Sequence, residues 1–239
     1  MKQAALRKIY FVLNGKGGVG KSFFATNFVQ YLKDHNVTCH AVDTDNENST
    51  LKRYHPEAQY IRVDDAKHLD QIFDTEHAVT VVDCRAASTD ILLRYFGSLN
   101  IFDALVELHA ELTIISPINH EADSVQQLRL LSEQIGSKCD YIIVKNCSHS
   151  ERFEIYETSK VRARLVGELN AQEIVMPRMM DWLVTALNKH TLTVTEATSH
   201  STITLLDRQR LKIWQRSLYT ELDRVISKSV TKAKPESNA

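Results

Sequence analysis

Nine residues near the amino terminus carry the densest chemistry in the chain. Asn14-Gly15-Lys16-Gly17-Gly18-Val19-Gly20-Lys21-Ser22 holds four of the protein's seven glycines. A stretch so poor in side chains can curl its successive N–H groups around an oxyanion. It follows an apolar run, Ile9-Tyr10-Phe11-Val12-Leu13, and leads into a helix-like run from Phe23 to Leu32. Strand, glycine-rich turn and helix amino terminus together make the setting of a phosphate-binding loop. Residues 15–22 spell G-x-x-x-x-G-K-S. In that pattern Lys21 reaches the β/γ-phosphates and the Ser22 hydroxyl coordinates Mg²⁺, while Gly15, Gly17, Gly18, Val19, Gly20 and Phe23 complete the cradle.

Lys16 is a second cation in the same loop, five positions before Lys21. Two lysines so close cannot easily converge on one phosphate, and an exposed loop lysine is better placed to meet phosphates held by another molecule. Further along, Val42-Asp43-Thr44-Asp45 and Val79-Thr80-Val81-Val82-Asp83 each end an apolar run on acids. Carboxylates leaving strand ends beside such a loop can hold Mg²⁺ or orient a water, or can simply cap a turn. Asp83 suits a water-mediated metal contact facing Ser22. Arg85 either clamps charge near the phosphates or pairs with a surface acid. Asn146 ends the run Tyr141-Ile142-Ile143-Val144-Lys145, and its amide both donates and accepts, as recognition of an adenine edge requires.

These residues need a scaffold that gathers strand ends on one rim. Short apolar runs at 9–13, 38–43, 59–63, 79–83, 112–116, 141–145 and 173–176 predict strands. Helical patterns at 22–33, 66–74, 89–99, 122–135, 152–169 and 179–190 alternate with them. That alternation predicts an α/β fold, a mostly parallel twisted sheet with helices on both faces and ligands at the carboxyl ends of the strands. At 239 residues, with 43% hydrophobic and 25% charged residues, one well-buried domain is expected over 1–229, followed by a frayed tail at 230–239. The net charge of −1 argues against a uniformly basic nucleic-acid binder. Cys39, Cys84, Cys139 and Cys147 lack C-x-x-C spacing, which points to a reducing, cytoplasmic setting without a zinc framework. No apolar run reaches the roughly 20 residues of a membrane span, and the early first strand leaves no room for a signal peptide.

The signature K-G-G-x-x-K-[ST], here Lys16-Gly17-Gly18-Val19-Gly20-Lys21-Ser22, resembles the deviant Walker A ATPases related to ParA and MinD. The resemblance implies a P-loop NTPase fold and an ATP-bound homodimer in which Lys16 crosses to the partner's phosphates. It implies that Asp45 positions the hydrolytic water, that Ser22, Asp45 and Asp83 form the metal shell, and that Lys16, Lys21 and Asp45 are the catalytic set. It also implies that Asn146 contacts the base and that Pro177 and Arg178 border the base pocket. Asn46-Glu47-Asn48 departs from the Pro-Gln-Gly that relatives favour, and Cys84-Arg85-Ala86-Ala87-Ser88 departs from their proline-containing sequence. The related nitrogenase iron protein needs two matching cysteines per chain, a spacing absent here, so Cys84 is expected to be a small buried thiol.

From 203 to 228 apolar residues recur at Leu211, Trp214, Leu218, Leu222 and Val225, the stripe of a docked helix. Arg208, Arg210, Lys212, Arg216, Arg224 and Lys228 outnumber Asp207, Glu221 and Asp223 on it. They form a solvated flank or a basic face for DNA phosphates, with anionic lipid the weaker reading. Residues 206–213 with the loop also resemble a narrower group, the TraL-type conjugal-transfer and StbB-type plasmid-stability proteins, which implies a plasmid-encoded DNA-binding or conjugation partner. The function expected is a slow, partner-stimulated ATP hydrolase acting as a Mg²⁺-dependent dimerising switch. The alternatives are a non-hydrolysing nucleotide-binding adaptor that recruits DNA or conjugation machinery, and a ligase or kinase with a small acceptor.

Overall fold

The computed structural model describes residues 6–230, with side chains through Ile226. The tail expected at 230–239 lies outside the described residues from 231 onward. Among the described residues seven strands appear: β1 Arg7–Val12, β2 His40–Asp43, β3 Gln59–Tyr60, β4 Val79–Asp83, β5 Ala110–Ile118, β6 Asp140–Asn146 and β7 Gln172–Met176. They form one sheet in the order β3-β2-β4-β1-β5-β6-β7, parallel at each pairing. All seven predicted strands are present. The central ones are apolar throughout because both faces are covered: β4 is buried at all five positions, as parallel sheets require.

The helices are α1 Lys21–Asp34, α2 Thr50–Tyr54, α3 Ala66–Phe73, α4 Thr89–Ser98, α5 Ile101–Glu107 and α6 Ala122–Ile135. They continue with α7 Glu154–Glu157, α8 Lys160–Arg162, α9 Asp181–His190, α10 Val194–Ala197 and α11 Leu205–Val230. One core packs Phe11, Ile114 and Ile143 with the helices from α3 to α6. The other packs Tyr10, Val12 and Val144 beneath α1, α9, α10 and α11. No helix among the described residues is long and apolar enough to cross a membrane, and the four cysteines are free thiols.

The helix expected over 152–169 is instead broken into α7, α8 and a wide turn over Ala163–Glu168. Ser159 takes extended backbone and its hydroxyl accepts the Arg162 N–H at 3.0 Å, so a local cap interrupts the run. Three short helices, α2, α5 and α10, carry too few turns to show a periodic stripe. The long helix is docked as expected. Leu211, Trp214, Leu218 and Leu222 are buried, Val225 packs partly buried against the same core, and Trp214 Nε1 donates to the Pro177 carbonyl at 2.8 Å.

Candidate functional site

The loop after β1 is shaped from below. Asn14 is fully buried; its Nδ2 donates to the Pro117 and Ser124 carbonyls at 3.0 and 3.2 Å, and its Oδ1 accepts the Lys16 N–H at 3.0 Å. That one amide ties the loop to β5 and α6. At Gly20 the backbone turns left-handed, φ +91°, and a Cβ would collide with the Asn146 amide nitrogen, so glycine is required there. Asn146 Nδ2 in turn donates to the Val19 carbonyl at 2.9 Å, while its Oδ1 accepts the Ser148 N–H at 3.1 Å. The amide expected at a base edge is here engaged in bracing the loop.

Gly17, Gly18, Gly20, Lys21, Ser22, Phe23 and Asp45 line one cavity of about 470 Å³ together with Asn48, Arg85 and Ala86. Val19 lies beneath it with its side chain in the core, and Gly15 is packed against Gln127 and Thr89. Lys21 is buried, its Nζ donating to the Lys16 carbonyl at 2.9 Å. Burial lowers its pKa, against the pull of Asp83 and Asp45, and an anion in the cradle would favour its charged form. Asp83 is 1% exposed with neither oxygen hydrogen-bonded. Burial pushes its carboxyl up to about 8, with Ser22 and Lys21 opposing. A buried carboxylate with both oxygens bare, beside a serine hydroxyl and a phosphate cradle, fits a Mg²⁺ site completed by phosphate and water. Among the described residues no cluster of three His, Cys, Asp or Glu could hold a metal alone.

The rim behaves differently. Asp45 accepts the N–H groups of Glu47 and Asn48 at 3.0 and 3.3 Å, and its other oxygen accepts Asn48 Nδ2 at 3.2 Å. Burial would raise its pKa, yet these bonds hold it below the ordinary value. Asp43 is buried, accepting the Asp45 and Lys52 N–H groups at 2.9 and 3.0 Å, and so anchors the segment between β2 and α2. Lys16 points away from the cradle and pairs with Asp123 at 3.1 Å and Glu121 at 3.4 Å. Arg85 lines the cavity and makes no ion pair among the described residues; its Nε is buried without a partner. The surface-acid pairing weighed for it is thus absent.

Pro177 and Arg178 line a separate cavity of about 240 Å³ with Lys145, Cys147, Glu151, Phe153 and Val175. Arg178 sits 4.0 Å from Asp181. Two features escaped sequence reasoning: the anchoring role of Asn14, and the far wall of the main cavity, where Val184 and Leu187 come from α9 and Thr193 from its connection to α10. Only long-range packing brings that wall beside the loop.

A family model described as the CobQ/CobB/MinD/ParA nucleotide binding domain matches residues 10–223. Protein TraL of Escherichia coli is 29% identical, over 91% of this chain and 98% of its own. Protein MobD of Acidithiobacillus ferrooxidans is 26% identical, over 92% and 98%. Among solved structures, the MinD cell division protein of Aquifex aeolicus superposes with a TM-score of 0.53 at 17% identity, covering 93% of this chain and 98% of that one. The septum site-determining protein MinD of Pyrococcus horikoshii, complexed with Mg-ADP, gives 0.53 at 13% identity over 96% and 99%. These last two share the fold. With the matched region running from β1 into α11, the chain belongs to the CobQ/CobB/MinD/ParA nucleotide-binding domain family.

Proposed function

We propose that this protein is an ATP- and Mg²⁺-dependent molecular switch that dimerises on ATP, hydrolyses it slowly, and acts in plasmid conjugation, stability or positioning from the cytoplasm. The observation that carries the reading is the pairing of a glycine cradle holding Lys21 and Ser22 with the buried, unpartnered Asp83. When bound, Mg²⁺ would neutralise developing phosphate charge. Lys21 and the loop N–H groups bind and orient the phosphates, and Arg85 adds a third cation at the mouth. Asp45 turns from Asn48 to orient water once the segment between β2 and α2 is drawn in. Lys16 leaves Glu121 and Asp123 to reach the partner's phosphates. Asn146, Pro177 and Arg178 flank the base. The domain spans residues 1–229, and the basic residues of α11 beyond its first turns give DNA phosphates a contact line. The plasmid setting rests on the similarity to TraL and MobD.

Light scattering with ATP, ADP and no nucleotide tests the reading. Lys21→Ala should lose ATP binding, and Lys16→Ala should bind ATP but fail to dimerise; a dimer unchanged in the Lys16 variant defeats the trans-acting role. A second reading, a non-hydrolysing adaptor, is favoured by the complete engagement of both Asp45 oxygens. Tight ATP binding with no phosphate release, even with DNA present, would select it.

A further inference from the structure

Nine large apolar side chains stand exposed among the described residues, and five of them belong to two elements that touch, the start of α9 and the first turns of α11. Met180 and Trp182 open α9; Leu205, Leu206 and Ile213 lie on the first turns of α11. Trp182 is 55% exposed, Leu206 65% and Ile213 63%, so the cluster is not a rim of the core. Nor is it loose. The Trp182 indole N–H donates to Asp207 Oδ1 at 3.3 Å, and Arg210 donates to the same oxygen at 2.9 Å. The Thr204 hydroxyl donates to Asp207 Oδ2 at 2.9 Å. A shared carboxylate therefore fixes an exposed indole and an arginine side by side, an anchor whose ordering cost is already met before binding.

We propose that this patch docks an acidic amphipathic helix of a partner protein. Leu206 and Ile213 are seven residues apart, two turns and roughly 10 Å along one face of α11, the spacing at which a second helix seats its own apolar residues. Cations border the seam: Arg178 from the β7–α9 connection, and Arg210, Lys212 and Arg216 from α11. Arg178 and Arg210 are each already paired with a facing acid, Asp181 and Asp207, within 4.0 Å, so Lys212 and Arg216 carry the uncompensated charge. The surface thus matches a helix with apolar knobs and glutamate or aspartate on its flanks. A second copy laid on the same patch would set these arginines against their own counterparts. DNA phosphates would suit the cations but leave Trp182, Leu206 and Ile213 against a polyanion. A bilayer surface calls for a broad apolar stripe, whereas Gln209 and Arg210 separate the two knobs here. This deepens the partner part of the proposed function without depending on nucleotide.

Fluorescence anisotropy of a labelled three-heptad synthetic helix, with leucine at its core positions and glutamate at its flanks, tests this on the full-length protein. Binding should weaken on the order of 10-fold in Trp182→Ala and in Ile213→Ser, and should fall as salt rises. Lys21→Ala should bind the peptide like wild type, which separates this result from any failure of the nucleotide reading. A lysine-flanked version should not bind, and Arg210→Glu should narrow that preference. Circular dichroism melts confirm that each variant is folded, and Leu206→Ser serves if one is not. No binding of the acidic helix, equal binding of both peptides, or indifference to Trp182 and Ile213 overturns the proposal. So does a Trp182-dependent association with phosphatidylserine vesicles or with duplex DNA that exceeds peptide binding.

Discussion

The interior of the phosphate cradle and its rim hold the same kinds of residue in opposite conditions. Inside, Lys21 is buried and aimed at the loop, and Asp83 keeps both oxygens bare. On the rim, Lys16 is turned outward onto Glu121 and Asp123, and Asp45 is wrapped by Glu47 and Asn48. The interior has one bond to exchange, from Lys21 to the Lys16 carbonyl; the rim has several to break first. On the proposed function, capture of nucleotide would be built into the resting fold, whereas pairing of two copies and turnover would each wait on a rearrangement. The contacts holding the rim are exposed and individually weak, which suits groups that must let go.

Four variants probe that contrast. The largest effect is expected from Gly20→Ala, which forces a Cβ into a left-handed turn and onto Asn146. The variant should lose at least about 2 kcal/mol of stability together with nucleotide binding, read by thermal melts and calorimetry; near-wild-type binding would mean that the loop adapts. Next, Asp83→Asn should remove the Mg²⁺ dependence of ATP affinity. In nucleotide-free protein at neutral pH it should raise the melting temperature by a few degrees, because burial holds the Asp83 carboxyl at about 8 and folding must protonate it, a cost that a neutral amide avoids. An unchanged Mg²⁺ response would take Asp83 out of the metal shell. Asn48→Ala removes one of the groups holding Asp45 and should raise phosphate release several-fold; a flat rate would show that the wrapping does not limit turnover. Smallest is the pair Glu121→Gln with Asp123→Asn, which frees Lys16. It should lower the protein concentration for ATP-dependent dimerisation by up to about fivefold, as expected for exposed ion pairs, with the gain vanishing in high salt.

The strands and the loop were legible in the sequence because both depend on local pattern. An apolar run ending in an acid marks a buried parallel strand, and G-x-x-x-x-G-K-S fixes its own turn. The contrast between interior and rim was not legible. Asp123 sits 107 positions from Lys16, and Asn146 sits 127 from Val19; no spacing rule links them. The continuous helix read over 152–169 failed for a local reason, since Ser159 offers the backbone a cap that competes with helix propagation. Arg85 was seen but left open, and burial of its Nε beside the cavity places it. Asn48 looked like a departure from the family; its amide proved to be the tie on Asp45.

The bond from Trp214 to the Pro177 carbonyl has a mechanical meaning. It rivets the carboxyl-terminal helix to the short connection that borders the smaller cavity, so a load on that helix is delivered directly to the cavity wall. The same indole packs edge-on against Phe23, with ring centroids 5.6 Å apart, so the lever that bears on the smaller cavity bears on the opening turn of α1 as well.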